Sequence, residues 1–149
     1  MKVYTKQALN DFNQSLTYDD ISLIPTEISR IKTRTEAITT CNFLGLDLTL
    51  PVVSSPMDTV TGIEMAKALT DLGCLGILNR FDSSLKEILA DTNNGKKIRG
   101  VSIALSATLN EVEKLIEAGY TICIDTANAN NNEVLNKTEE IKKKFNTKI

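Results

Sequence analysis

The chain has 149 residues, 42% of them hydrophobic, with a formal net charge of −2 and no histidine. That length and hydrophobic content suit one folded domain with its own core and exclude a disordered chain. The near-neutral charge without a basic patch argues against nucleic-acid binding, and the absence of histidine removes the commonest metal ligand and general base.

No apolar run is long enough to cross a membrane, and the start carries no secretory pattern. Cys41, Cys74 and Cys123 are odd in number, far apart and outside any CxxC. They read as reduced core or near-core residues of a cytoplasmic protein.

In chain order, residues 1–49 read as an irregular flank. "LTYDDISLIP" is a short extended segment closed by Pro25, and "RTEAITTCNFLGLDLTL" is a hairpin or an extended piece broken at Gly45. From Leu50 the pattern becomes regular. "LPVVSS" reads as a strand. "TGIEMAKALTDLG" reads as a helix, with Thr61 and Glu64 at capping-box spacing and Gly73 as the stop. "CLGILN" is a second strand, and "SLKEILADTNNG" a second helix boxed by Ser84 and Glu87. "GVSIAL" is a third strand. "TLNEVEKLIEAG" is a third helix, boxed by Thr108 and Glu111 and stopped at Gly119. "YTICID" is a fourth strand, and "NNEVLNKTEEIKKKF" a fourth helix with Val134, Ile141 and Phe145 on its apolar face. The lysines of "KKKF" suit a helix C-terminus.

Apolar strands alternating with helical crossovers predict a parallel sheet covered by helices. A doubly wound sheet and a piece of a (β/α)8 barrel both fit, and a whole barrel needs about 250 residues. No GxGxxG or GxxxxGK[ST] loop follows any strand, which weighs against the dinucleotide and P-loop forms of the open sheet. The expectation is an α/β fold made of the first four βα units of a (β/α)8 TIM barrel over residues 50–149, in a single domain with the flank 1–49.

In parallel α/β folds ligands sit beyond the carboxyl ends of the strands. Those ends carry Ser54, Ser55, Pro56, Met57 and Asp58, then Asn79 and Arg80, then Ser106, then Asp125, Thr126, Ala127 and Asn128. Hydroxyls, a cation, carboxylates and a thioether on one rim can hold a polar ligand with a flat ring. The same residues can also serve as caps and turns. Met57 has no capping role.

"LTYDDISLIP" followed by "PVVSSPMDTVTGIEMAKALTDLGCLGILNRF" resembles the start of inosine monophosphate dehydrogenase and its sister enzyme guanosine monophosphate reductase. "YTICIDTANANNNEVLNKTEEIKKKF" continues the resemblance, closer there to the reductase. The absence of a CBS insertion at "LADTNNGKKIRG" is also reductase-like, while "SSPMDTVT" is dehydrogenase-like. The resemblance implies a (β/α)8 barrel, usually tetrameric, that moves hydride between NAD or NADP and the purine of IMP or GMP. It implies that Ser55, Met57, Asn79 and Arg80 lie on the substrate side and Asp125, Thr126, Ala127 and Asn128 on the cofactor side. Asn79 replaces a common histidine, and Ser106 and Ala129 replace common glycines.

The resemblance puts the catalytic cysteine on a loop beyond Ile149. None of Cys41, Cys74 and Cys123 sits in the matching context, so no catalytic or metal-binding residue is assigned. The expectation is the N-terminal half of such an oxidoreductase, incomplete alone and completed by a second-half chain or by self-association. The alternative is a non-catalytic remnant or interaction subunit that binds a purine nucleotide or joins a full-length relative.

Overall fold

The structure is a computed structural model that describes residues 5, 7–8, 11, 16–25, 28–93, 95 and 98–147. It divides into two units, Met1–Ala37 and Ile38–Ile149.

In the first unit, the amide and hydroxyl of Thr17 both donate to Asp20 Oδ2, at 2.8 and 2.9 Å. These bonds hold the Asp20 carboxyl below the usual range, the backbone amide contributing most. A 3₁₀ turn follows at Arg34–Glu36.

The second unit opens with the hairpin allowed by the sequence. Strands β1 (Cys41–Phe43) and β2 (Leu46–Leu48) pair antiparallel, Cys41 opposite Leu48. Leu44 and Gly45 both take positive φ, 51° and 81°, as a two-residue turn between right-twisted strands requires. Asn42 Oδ1 accepts from the Gly45 amide and its Nδ2 donates to Asp47, which fixes the register.

Helices and parallel strands then alternate: α1 (Ile63–Asp71), β3 (Ile77–Leu78), α2 (Leu85–Asn93), β4 (Gly100–Ile103), α3 (Leu109–Glu117), β5 (Thr121–Ile124) and α4 (Asn132–Phe145). The sheet order is β3-β4-β5, all parallel, with neighbours in space following neighbours in sequence. The fold is mixed α/β, with the parallel strands and crossover helices that the apolar runs predict.

The first predicted strand, at Leu50–Ser55, is reduced to one parallel bridge, Val53 with Leu75. Leu75 donates to the Val52 carbonyl and accepts from the Ser54 amide, but the next donor, the Ile77 amide, goes to Ser54 Oγ at 3.1 Å. A side-chain hydroxyl replaces the backbone carbonyl and ends the ladder there.

The capping boxes at Ser84–Glu87 and Thr108–Glu111 form as read: each Ser or Thr hydroxyl accepts from the Glu amide, and each Glu carboxylate accepts from the Ser or Thr amide. The box expected at Thr61–Glu64 does not form. Helix α1 is capped one residue later, at Gly62, with no side-chain bond; Thr61 lies outside the helix, buried, and its hydroxyl donates to the Ser55 carbonyl at 2.7 Å. Gly73 and Gly119 stop their helices with φ of 72° and 78°, as predicted. Asn131 caps α4, Asn146 ends it in the left-handed region, and Lys142, Lys143 and Lys144 fill its last turn.

The sheet buries both faces. Leu78, Val101, Ile103 and Ile122 pack on Ala66, Ile88, Val112, Leu115 and Ile141 of the helices. Leu75 and Ile77 face the other way and pack with Leu48, Leu46 and Cys41 of the hairpin and with Cys123. The alternation of a strand thus separates a helix-facing layer from a hairpin-facing layer. Helix α1 approaches β3 so closely that a Cβ on Gly76 would stand 2.6 Å from Ala66 Cα. Tyr120 is buried and ties β5 to α2 by donating to the Ile88 carbonyl at 2.7 Å.

Candidate functional site

The expected rim residues all leave the carboxyl ends of parallel segments, but the structure gives them different work. The loop after Val53 carries Ser55 and Met57, both exposed. Its shape is set from inside: the Met57 carbonyl accepts from the amides of Val60 and Thr61, and the Ser55 carbonyl from the Thr61 hydroxyl. Three bonds on two carbonyls close the turn and leave the Ser55 hydroxyl and Met57 thioether outside it.

Asn79 follows β3 and is fully buried. Its amide nitrogen donates to the Thr61 carbonyl at 3.0 Å and to Asp82 Oδ2 at 2.7 Å, and its oxygen accepts from the Phe81 and Asp82 amides. The Asn79 backbone amide also donates to the Thr61 carbonyl. Every polar group of this side chain is therefore engaged within the protein, and it ties the loop after β3 to the start of α1.

That turn aims Arg80. Its Nε donates to Asp125 Oδ2 at 3.1 Å, and its guanidinium lies 4.2 Å from the centre of the Phe81 ring. Arg80 follows β3 and Asp125 follows β5, so the pair spans the end of β4. Asp125 is itself placed by its amide, which donates to the Ile103 carbonyl. The pair is partly exposed, with side-chain accessibilities of 36% and 28%. Exposed ion pairs contribute little stability, so the stacking on Phe81 matters as an orienting contact.

Beside this pair lies an open cavity of about 590 Å³ lined by Arg80, Ala104, Leu105, Ser106, Asp125, Thr126, Ala127 and Glu133. The structure thus brings Arg80, Asp125, Thr126 and Ala127 together. Asn128 serves the neighbouring turn, its side-chain oxygen accepting from the Asn130 amide. Ser55, Met57 and Asn79 do not line this cavity. Phe81 and Glu133 were not read from the sequence. An aromatic next to a rim arginine could have flagged Phe81, and a carboxylate in the first turn of a helix leaving the rim could have flagged Glu133.

Cys123 precedes the rim on β5 with a half-buried thiol. Desolvation, and then the Asp125 charge, push that thiol above its ordinary value. A thiol held protonated is a poor nucleophile. Among the described residues no cluster of three or more His, Cys, Asp or Glu could hold a metal ion, and no helix is long and apolar enough to cross a membrane.

Comparison with known proteins decides the family. The description "IMP dehydrogenase / GMP reductase domain" matches residues 15–149. The chain belongs to the IMP dehydrogenase / GMP reductase family. It is 31% identical over 134 residues to the GMP reductase of Bacillus licheniformis, covering 85% of this chain and 40% of that protein. It is 33% identical over 140 residues to the GMP reductase of Streptococcus gordonii, covering 92% and 42%. Against the inosine-5'-monophosphate dehydrogenase of Methanocaldococcus jannaschii it is 34% identical over 110 residues, covering 74% and 22%. The chain therefore spans well under half the length of these relatives.

Proposed function

We propose that the chain supplies the nucleotide-binding rim of a purine-nucleotide oxidoreductase of the IMP dehydrogenase / GMP reductase type and is catalytically incomplete alone. The observation that carries this reading is the Arg80–Asp125 pair, bridging two strand ends beside a cavity edged by Ser106 and Thr126. Residues 50–149 act in it as four βα units of a (β/α)8 barrel, with residues 1–49 as the flank.

Ser55 and Met57 form the purine side, with Met57 as a flexible, polarisable contact for the flat base. Arg80 joins them, and Asn79 holds the Arg80 turn. Asp125 and Thr126 fit a nicotinamide cofactor, NAD or NADP, because a carboxylate and a hydroxyl at a cavity mouth suit ribose hydroxyls; Ala127 and Asn128 shape the same loop. The bound cofactor supplies the hydride chemistry, while these residues bind and orient. The three thiols are free, which suits a reducing cytoplasmic setting.

A partner completes the site, either a second-half chain or a second copy. The sheet edge at Val53 carries only a single bridge, and Val52 and Val53 beside it and Met65 and Leu72 around α1 are 40–62% exposed. An open edge beside exposed apolar side chains favours pairing. The alternative is a non-catalytic remnant or interaction subunit that binds purine nucleotide or joins a full-length relative.

The test is complementation. The chain is purified alone and co-expressed with the segment of the Streptococcus gordonii GMP reductase that it does not match. The chain alone is expected to bind IMP or GMP without turnover, and the pair to turn over with NAD or NADP. Turnover by the pure chain would overturn its incompleteness. Nucleotide binding without turnover in the pair would select the non-catalytic alternative. Loss of both would sink the reading.

A further inference from the structure

Helices α1 to α4 all pack on one face of the parallel sheet, and the β1–β2 hairpin packs on the other. The hairpin is held at the amino ends of the strands, opposite the rim. The Thr49 amide donates to the Gly73 carbonyl, and the Arg99 guanidinium, just before β4, donates to the Asp47 carbonyl at 3.4 Å. Its base is buried through Leu48 against Leu75 and Ile77. Its tip is not buried: Phe43 and Leu44 are 40% and 38% exposed. Leu44 also holds φ of 51°, a conformation that is unfavourable for leucine and that a two-residue hairpin turn normally gives to asparagine or glycine. Two adjacent apolar side chains kept exposed on a strained turn mark a surface made for contact.

We infer that Phe43 and Leu44 anchor the partner, and that the hairpin makes this partner a second-half chain without such a hairpin rather than a second copy. This rests on the proposed oxidoreductase reading and adds which of its two partners completes it. The sheet is open at both edges, since β5 pairs only with β4 and the Val53 segment only with Leu75. Strands added at both edges to close a barrel turn the hairpin face inward. The interior of an eight-stranded barrel is just filled by side chains. One hairpin across its amino end lays Phe43 and Leu44 against the inner ends of the partner's strands. A second copy would bring a second hairpin to the same opening, where the first already lies.

The experiment titrates the full chain with the segment of the Streptococcus gordonii GMP reductase that it does not match. Calorimetry reads the affinity and sedimentation the mass. Leu44→Asn and Phe43→Ser are measured in the same way, with a thermal melt of each chain alone. Asparagine suits the left-handed turn, so Leu44→Asn removes the apolar tip without loosening the hairpin.

A one-to-one complex is expected. Leu44→Asn should weaken it about tenfold while the melting temperature of the lone chain holds or rises. Phe43→Ser should weaken it by a similar factor. The inference is overturned if Leu44→Asn leaves the affinity unchanged, if the chain pairs with itself as tightly as with the segment, or if the segment does not bind. The first two outcomes leave turnover by the complemented pair untouched. A tight complex that Leu44→Asn weakens but that never turns over defeats the oxidoreductase reading and leaves the anchor standing, so the two fail separately.

Discussion

The Thr61 hydroxyl donates to the Ser55 carbonyl at 2.7 Å, closing the rim loop that carries Met57. Thr61 is fully buried, so its bond replaces water that cannot reach it. Thr61→Val keeps the shape, removes the donor and strands the Ser55 carbonyl. The expected cost is about 1–3 kcal/mol. Urea unfolding of the two proteins measures it. An unchanged midpoint would mean that the loop reaches water and holds its shape without Thr61.

Gly76 and Ala66 set the spacing of α1 over the sheet. A Cβ at Gly76 would stand 2.6 Å from Ala66 Cα and 2.9 Å from its carbonyl oxygen, both backbone atoms that cannot swing aside. Gly76→Ala therefore has to push α1 outward, at an expected cost of about 1–3 kcal/mol. Because Ala66 belongs to the main core cluster, the melt should also broaden. Gly95, with nothing within 4 Å of a Cβ but φ of 90°, is the control whose alanine variant reports backbone strain without a clash.

These two positions also show where sequence reading reached its limit. The boxes at Ser84–Glu87 and Thr108–Glu111 were legible because both partners lie within one turn and nothing else competes for them. The identical spacing at Thr61–Glu64 failed because the helix starts one residue later, with Gly62 at the cap, and Thr61 lies outside it with its hydroxyl donating to the Ser55 carbonyl. The strand at Leu50–Ser55 was legible as apolar but not as a single bridge, since Ser54 Oγ diverts the Ile77 amide. Alternating strands and helices were legible from periodicity. Arg80 and Asp125 were legible as rim residues, but their pairing across 45 residues was not, because spacing says nothing about which strand ends meet. Asn79 is legible as a strand-end residue, but the four bonds its side chain makes within the protein are not, because they join it to Thr61, Phe81 and Asp82 through a turn that spacing does not define.

The capping boxes give a pH signature. The Ser84 amide and hydroxyl lower the Glu87 carboxyl below its ordinary value of 4.5, and those of Thr108 do the same for Glu111. A carboxyl with a depressed folded pKa contributes stability that is present above its unfolded value and lost as pH falls through the folded one. Acidification below about pH 4.5 should therefore loosen the starts of α2 and α3. Thr108→Ala should cost about 1 kcal/mol near neutrality and less in acid. Melts at pH 7 and pH 3.5 test this. A cost that does not shrink in acid would place the loss in the Thr108 hydroxyl alone.

Asp125 and Cys123 are coupled through charge. Burial raises the Cys123 thiol first, and the Asp125 carboxylate raises it further. Asp125→Asn removes that negative charge and leaves the Arg80 guanidinium without its counter-ion, and both changes favour the thiolate. Alkylation of Cys123 should then begin at lower pH in the variant than in the parent, with Cys41 as the internal reference. The sign for stability follows. A thiol whose folded pKa is raised stabilises fully below its unfolded value, and that contribution is lost as pH rises through the folded one. The parent should therefore lose melting temperature at alkaline pH, and the variant should lose less of it. Mass spectrometry of iodoacetamide-treated protein over pH 7 to 10 reads the first effect and melts over the same range read the second. If Cys123 in both proteins is alkylated with the same pH dependence, the Asp125 charge does not reach the thiol. Asp125 would then be held by Arg80 in a solvent-screened pair facing outward from β5.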